Sequence, residues 1–389
     1  MAYRKQLLLV MVRVTIFMIS LVKSGEAEVE AEAGECNPPL FAFGASMLDV
    51  GENEAAMPGR EASEFPPYGL HYFARPAARF SNGRLLIDFI SQGLGYGLVD
   101  PYLRSVGSNF KHGANFASSG ATLANSTAPA DGSNSGGLFS LSVQIDQFGF
   151  FKAAVLAFNH TEGFRESILN IEDFSEGVYI IEIGHNDYIQ FVSKNPDHNV
   201  HRFLTKTIHL MKEALLRLYN EGARKIVVLN MLPLGCTPGV LGSIKPVKEL
   251  QDEYGCLLSF NNLVNLYNQQ LDILLKELRL ELSNAQWILF DIHTVIWNVV
   301  RYPALYGVKN PLQACCGPQD GYYNFESTQQ CGSPNATVCK DSTLHIFWDA
   351  IHLLESFNSL LGKEFLEGKS LIPSFIVRES CNLFNKIKL

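Results

Sequence analysis

The sequence predicts an α/β fold, a parallel β-sheet covered by helices on both faces. Two observations carry this. Short apolar runs of strand length recur along the chain and end at glycines or polar turns, and long segments of helical periodicity lie between them. Alternation of that kind builds parallel sheets, whose strands read as continuous apolar runs because both faces are buried.

Taken in order, Leu40 to Phe43 is an apolar run that enters a turn at Gly44, and Val178 to Ile183 is a second, ending at Gly184. Thr205 to Tyr219 has helical spacing, with Leu204, Ile208, Leu215 and Leu218 on or near one face. The Asn220-Glu-Gly222 segment is its stop signal. Ile226 to Leu229 follows as a β-branched strand, a second long helix runs from about Ser259 to Leu282, and Gln286 to Phe290 is a further strand. The segment from His352 to Leu366 reads as helical. Three long loops interrupt the pattern: Ala128 to Gly137, Leu234 to Val247, and Lys309 to Asp341, the last holding four cysteines and suited to a lid or a pocket wall. Ligands of such sheets bind beyond the carboxyl ends of the strands. Ser46, Asn186 and Asp291 fall just past predicted strand ends.

Of 389 residues, 47% are hydrophobic and 18% charged, an ordinary globular balance. The net charge of -8 gives no footprint for nucleic acid. At the N-terminus, Arg4 and Lys5 precede the apolar stretch Leu7 to Val22, and small residues follow at Ser24, Gly25 and Ala27. This is the pattern of a cleaved signal peptide over residues 1–27, too short and interrupted for a membrane anchor. Eight cysteines follow it, at Cys36, Cys236, Cys256, Cys315, Cys316, Cys331, Cys339 and Cys381. An even count in an exported chain predicts disulfides, with pairing left open, and the lack of a Cys-x-x-Cys pair argues against zinc. Sequons at Asn125, Asn159 and Asn335 predict glycosylation on a secretory route. The expected location is extracellular, without stable membrane association.

The chemistry-bearing residues are a serine after a glycine turn and an Asp-x-x-His. Gly44-Ala-Ser46 leaves a hydroxyl exposed beyond a strand. A serine needs a base to act as a nucleophile. Asp349-Ala-Ile-His352, the only Asp-x-x-His in the chain, supplies an imidazole and a carboxylate to hold it. The Gly-x-Ser-x-Gly elbow and His-Glu-x-x-His are both absent, and Gly93-Leu-Gly95-Tyr-Gly97 lacks dinucleotide-binding spacing. His293, near Asp291, reads as a structural histidine.

The full set of motifs resembles the plant branch of the GDSL-motif esterase/lipases, within the SGNH hydrolases, from about residue 36 to residue 370. Leu40-Phe-Ala-Phe-Gly44-Ala-Ser46-Met-Leu-Asp49-Val-Gly51-Glu-Asn53 is similar to the nucleophile block. Arg79-Phe-Ser-Asn-Gly83-Arg84 is similar to a plant-branch signature, and Asn115-Phe-Ala-Ser-Ser-Gly120 to the glycine block. Ile183-Gly-His185-Asn186-Asp187 resembles the asparagine block, and Phe347-Trp-Asp349-Ala-Ile-His352 the final Asp/His block. Leu232-Pro-Leu-Gly-Cys236 and Gln313-Ala-Cys-Cys-Gly317 look like further plant-branch features.

The resemblance implies a three-layer α/β/α sandwich of flavodoxin-like type with a central parallel sheet, and residues 371–389 as a C-terminal tail. It implies Ser46 as nucleophile, His352 as base and Asp349 as its orienting partner. The oxyanion hole would be the Ser46 N–H, the Gly120 N–H and the Asn186 side-chain amide. No metal or organic cofactor is implied, and the expected partner is a small-molecule or polysaccharide ester. Three functions are compatible: a secreted esterase for acyl or acetyl esters of plant metabolites or cell-wall polysaccharides, an acyltransferase using the same acyl-enzyme, and a catalytically retired binding protein. The departures are Ala45 where the family has Asp, Met47, His185 before Asn186, Ala350 where the family has Gly, and Leu354-Glu355 after the last block. Ala45 lacks the side-chain hydrogen bonds that an Asp would bring to the turn. His185 is expected to pack or to shape the loop.

Overall fold

The computed structural model describes residues 37–124, 137–158, 169–194 and 199–382. The expected leader (1–27), Cys36, Asn125 and Asn159 lie outside these residues, as does nearly all of the loop from Ala128 to Gly137.

Six strands form the central sheet: β1 (Leu40–Gly44), β2 (Gly113–Asn115), β3 (Val178–Glu182), β4 (Lys225–Leu229), β5 (Gln286–Phe290) and, at the end of the chain, Leu371–Ile372. Their spatial order runs Leu371–Ile372, β5, β4, β3, β1, β2. The pairs β2–β1, β1–β3, β3–β4 and β4–β5 are parallel. Only Leu371–Ile372 runs antiparallel, along β5, so residues assigned to the tail by sequence supply an edge of the sheet.

Residue alternation shows how both faces are covered. Phe41 is in register with Tyr179, Tyr179 with Ile226, and Ile226 with Trp287, so these four side chains share one face. On that face Phe41 meets Phe148 of the Leu141–Phe158 helix, and Trp287 meets Tyr219 of the Val200–Asn220 helix. Phe290 points to the other face and packs on Phe365 of the Glu355–Leu366 helix. The result is the three-layer α/β/α arrangement, with strands β1, β3 and β4 buried throughout their length.

Some expected boundaries move. The C-terminal helix starts at Glu355, so His352 precedes it in a turn. The Leu234–Val247 loop contains a helix, Pro238–Ile244. The Lys309–Asp341 loop contains β6 (Asn310–Ala314), β7 (Cys316–Pro318) and β8 (Ala336–Val338). β6 pairs with β9 (His345–Phe347), and β7 with β8, as two small sheets apart from the main one. Disulfides join Cys315 to Cys339, Cys316 to Cys331, and Cys236 to Cys256. Among the described residues no helix is long and apolar enough to cross a membrane.

Candidate active site

Ser46 sits two residues past the end of β1, and the turn beneath it depends on Gly44. A Cβ at Gly44 would lie 1.8 Å from the Glu182 carbonyl oxygen of β3, and its φ of 134° suits glycine alone. Gln144, fully buried, clamps the same glycine from both sides: its Oε1 accepts the Gly44 N–H at 2.7 Å and its Nε2 donates to the Gly44 carbonyl at 2.8 Å. The turn forms without an acid at position 45. Ala45 donates its N–H to Glu182, and its carbonyl accepts from Leu48 and Asp49.

Asp49 then ties this turn to the glycine block. Its Oδ1 accepts the N–H groups of Gly51 and Glu52 at 2.8 Å, and its Oδ2 accepts the Ser119 N–H at 2.7 Å, next to Gly120. Burial pushes the Asp49 carboxyl up to about 6, and these backbone donors limit the rise. Glu52, beside it, is pushed up to about 8, mostly by burial and further by Asp49. The asparagine block grips the other side of the glycine block. Asn186 donates one amide N–H to the Ala121 carbonyl at 2.9 Å, which leaves its second N–H free to donate. Asp187 accepts the Leu123 N–H. The segments carrying Ser46, Gly120 and Asn186 are therefore stitched together by buried polar contacts.

His185 is buried and points away from this junction. Its Nδ1 lies 2.7 Å from Glu182, and its Nε2 accepts the Leu232 N–H at 3.2 Å. With Nε2 accepting, Nδ1 is the nitrogen that faces the carboxylate as donor, and the ring bridges the loops after β3 and β4.

Opposite Ser46, the turn Asp349–His352 presents the imidazole. Asp349 Oδ1 accepts the N–H groups of Ile351 and His352, closing a tight local turn. His352 Nδ1 lies 2.8 Å from both Asp349 oxygens, and His352 Nε2 lies 2.8 Å from Ser46 Oγ. Burial alone would raise the Asp349 carboxyl, but the imidazole and the local N–H donors hold it below the usual carboxylate range. Ser46, Gly120, Asn186 and His352 are each partly open to solvent, whereas Asp349 is buried.

Two residues at this site escaped the sequence reading. Tyr68 donates its hydroxyl to Asp349 Oδ2 at 2.8 Å. Burial, then the neighbouring carboxylate, lifts its phenol well above the usual range, so it remains a donor. Phe80 stacks on the His352 ring, with centroids 4.5 Å apart. Phe80 belongs to the Arg79–Arg84 signature, whose other members anchor the same arm. Asn82 accepts the Glu355 N–H at 2.8 Å, and Arg84 pairs with the Glu355 carboxylate at 2.6 Å. Asp291 and His293 stand elsewhere: Asp291 caps the Ile292–Arg301 helix through the Thr294 N–H and receives Asn230. Cys315, Cys339 and His345 lie close enough to hold a metal, but both sulfurs are joined in a disulfide.

With this geometry in place, comparison with known proteins gives the family of the chain. The family model for GDSL-like lipase/acylhydrolases matches residues 40–365. This chain belongs to the GDSL family. It is 33% identical to a GDSL esterase/lipase of Arabidopsis thaliana over 380 residues, covering 95% of this chain and 96% of that one. It is 35% identical to the Arabidopsis GDSL esterase/lipase LIP-4, covering 86% and 88% of the two chains. With GDSL esterase/lipase ENOD8 of Medicago truncatula the identity is 34%, over 88% of this chain and 90% of the relative.

Proposed function

We propose that this GDSL-family ester hydrolase acts outside the cell on acyl or acetyl esters of plant metabolites or cell-wall polysaccharides, through an acyl-enzyme on Ser46. The observation that carries the reading is the unbroken line from Ser46 Oγ to His352 Nε2 and from His352 Nδ1 to Asp349, each link 2.8 Å. Both links fall within reach of proton transfer and orientation.

In this mechanism Ser46 Oγ bonds to the ester carbonyl carbon as its proton passes to His352 Nε2. The carbonyl oxygen becomes an oxyanion, held by the Ser46 N–H, the Gly120 N–H and the free N–H of Asn186. The tetrahedral adduct collapses, the C–O bond to the alcohol breaks, and His352 returns its proton to the departing alkoxide. Water then repeats the sequence on the acyl-enzyme and releases the acid and Ser46. Asp349 stays ionised throughout and stabilises the imidazolium. No step calls for a metal or organic cofactor. Ser46 and His352 are each partly open to solvent, which is compatible with water as the acceptor. Secretion is supported by the leader pattern, by three disulfides among the described residues and by Asn335, which is exposed in the turn before β8.

A fluorophosphonate probe tests the assignment. The glycosylated, folded wild type should be labelled and Ser46→Ala should not. A folded wild type that resists labelling would sink the serine mechanism and leave a retired binding protein as the alternative.

A further inference from the structure

An apolar cavity of about 390 Å³ opens beside the candidate active site, in the size range of small-molecule pockets. Its walls include Ile189, Val192, Val240, Phe260, Phe325 and Ile351. We propose that it receives the acyl chain of the ester, so that the enzyme prefers medium-chain acyl esters to acetyl esters. This rests on the reading of Ser46 as the acyl carrier.

Two walls of the cavity are continuous with the reacting groups. Ile189 follows Asn186 by three residues along one helix, His185–Lys194, and lies on its side, and Val192, three further on, adjoins Ile189 while turned about 120° from Asn186. At 1.5 Å per residue, Val192 stands about 9 Å along the axis from Asn186, beyond an acetyl group but within a medium-chain tail. The opposite wall, Ala350 and Ile351, is the turn between Asp349 and His352. The acyl chain attached at Ser46 would enter the cavity between Ile189, on the helix of Asn186, and Ile351, next to His352.

The chemistry of the lining selects hydrocarbon. The walls carry no charged side chain. Thr237 directs its hydroxyl to the Leu234 carbonyl at 2.8 Å, and Ser243 sits exposed at the rim. A sugar hydroxyl placed there would lose its water without gaining a partner. Across Ala350 and Phe325, which border both spaces, a smaller cavity of about 70 Å³ meets His352, Gln329 and Gln330. That side has the donors, the acceptors and the general acid that a leaving alcohol needs. The two cavities thus divide the ester, with acyl on one side and alcohol on the other.

The test compares kcat/KM for p-nitrophenyl octanoate and p-nitrophenyl acetate within each protein. Each buried methylene is worth about fourfold, so even two give roughly fifteenfold in favour of octanoate. Val192→Trp and Ser243→Trp, which narrow the cavity from the wall and from the rim, should each cut the octanoate-to-acetate ratio by about tenfold or more. Fluorophosphonate labelling confirms that each variant is folded, and the second variant serves if the first is not. A ratio unchanged in both labelled variants overturns the acyl pocket and leaves the serine mechanism standing. So does a loss that falls on octyl acetate relative to ethyl acetate, since that places the alcohol in the cavity. Absence of labelling in the folded wild type overturns both.

Discussion

The two halves of the candidate active site are built differently. Ser46, Gly120 and Asn186 stand at the ends of main-sheet strands, fixed by buried contacts among Gly44, Gln144, Asp49 and the neighbouring backbone. Asp349 and His352 stand on an arm outside that sheet, placed by β6 to β9, two disulfides and the Arg79–Arg84 segment. The arm backbone meets its neighbour through Cys316 N–H to the Trp348 carbonyl at 2.7 Å, and Trp348 N–H to the His352 carbonyl at 2.7 Å. The sheet half owes its shape to the cooperative core, and the arm owes its shape to cross-links and local turns. Damage to the first should appear as lost transition-state stabilisation or lost global stability, and damage to the second as a misplaced base on an intact fold.

The largest expected effect lies on the sheet side. Asn186→Ala removes one oxyanion donor and should lower kcat by about 10²–10³-fold with KM little changed. A purely raised KM would instead assign Asn186 to substrate binding. On the arm, replacing Cys316 and Cys331 together by serine opens a link spanning 15 residues, worth about 3 kcal/mol. Activity should then be lost on heating before the far-ultraviolet circular dichroism of the main sheet changes. A single shared transition would mean that arm and sheet unfold as one unit.

Tyr68→Phe should cost about tenfold in kcat/KM, because Asp349 loses a donor at 2.8 Å. The carboxylate becomes more basic and favours the imidazolium, so the acidic limb of the pH profile moves to higher pH. Lower activity with an unmoved limb would make Tyr68 a packing residue only. The smallest effect concerns stability. Glu52 titrates near 8 in the fold against 4.5 unperturbed. The native state therefore holds a proton that the unfolded chain releases. This contribution is complete below the unfolded value and is lost as pH rises through the folded one. Glu52→Gln should match wild type in Tm near pH 4 and melt at a higher temperature near pH 8. Equal melting at both pH values would show Glu52 to be ionised in the fold.

The same contrast governs what the sequence made legible. Strand Gln286–Phe290 and the long helices could be read because continuous apolar runs and helical periodicity report burial directly. Strand β2 was not legible, since Gly113-Ala-Asn115 is too short to show any period and pairs only because β1 lies beside it. The Leu141–Phe158 helix was missed because it carries apolar residues on every side, from buried Phe148 to exposed Phe150, with Gly149 between them. Within the site, the order of motifs marked Ser46, Gly120, Asn186, Asp349 and His352 as candidates, and the fold gathers the turns that carry them. Tyr68 and Phe80 stayed hidden because each acts through a contact across more than 250 residues of chain. Ala45 left the turn geometry open in the sequence, and the fold supplies backbone hydrogen bonds in its place.

Cys315 and Cys316 are neighbours in the chain, yet they bond to Cys339 and Cys331. Two adjacent residues thereby gather the whole segment that backs Trp348 and His352. Opening both bonds would untie that segment from the turn that carries the imidazole, so the placement of the catalytic base rests on two covalent links made by neighbouring residues.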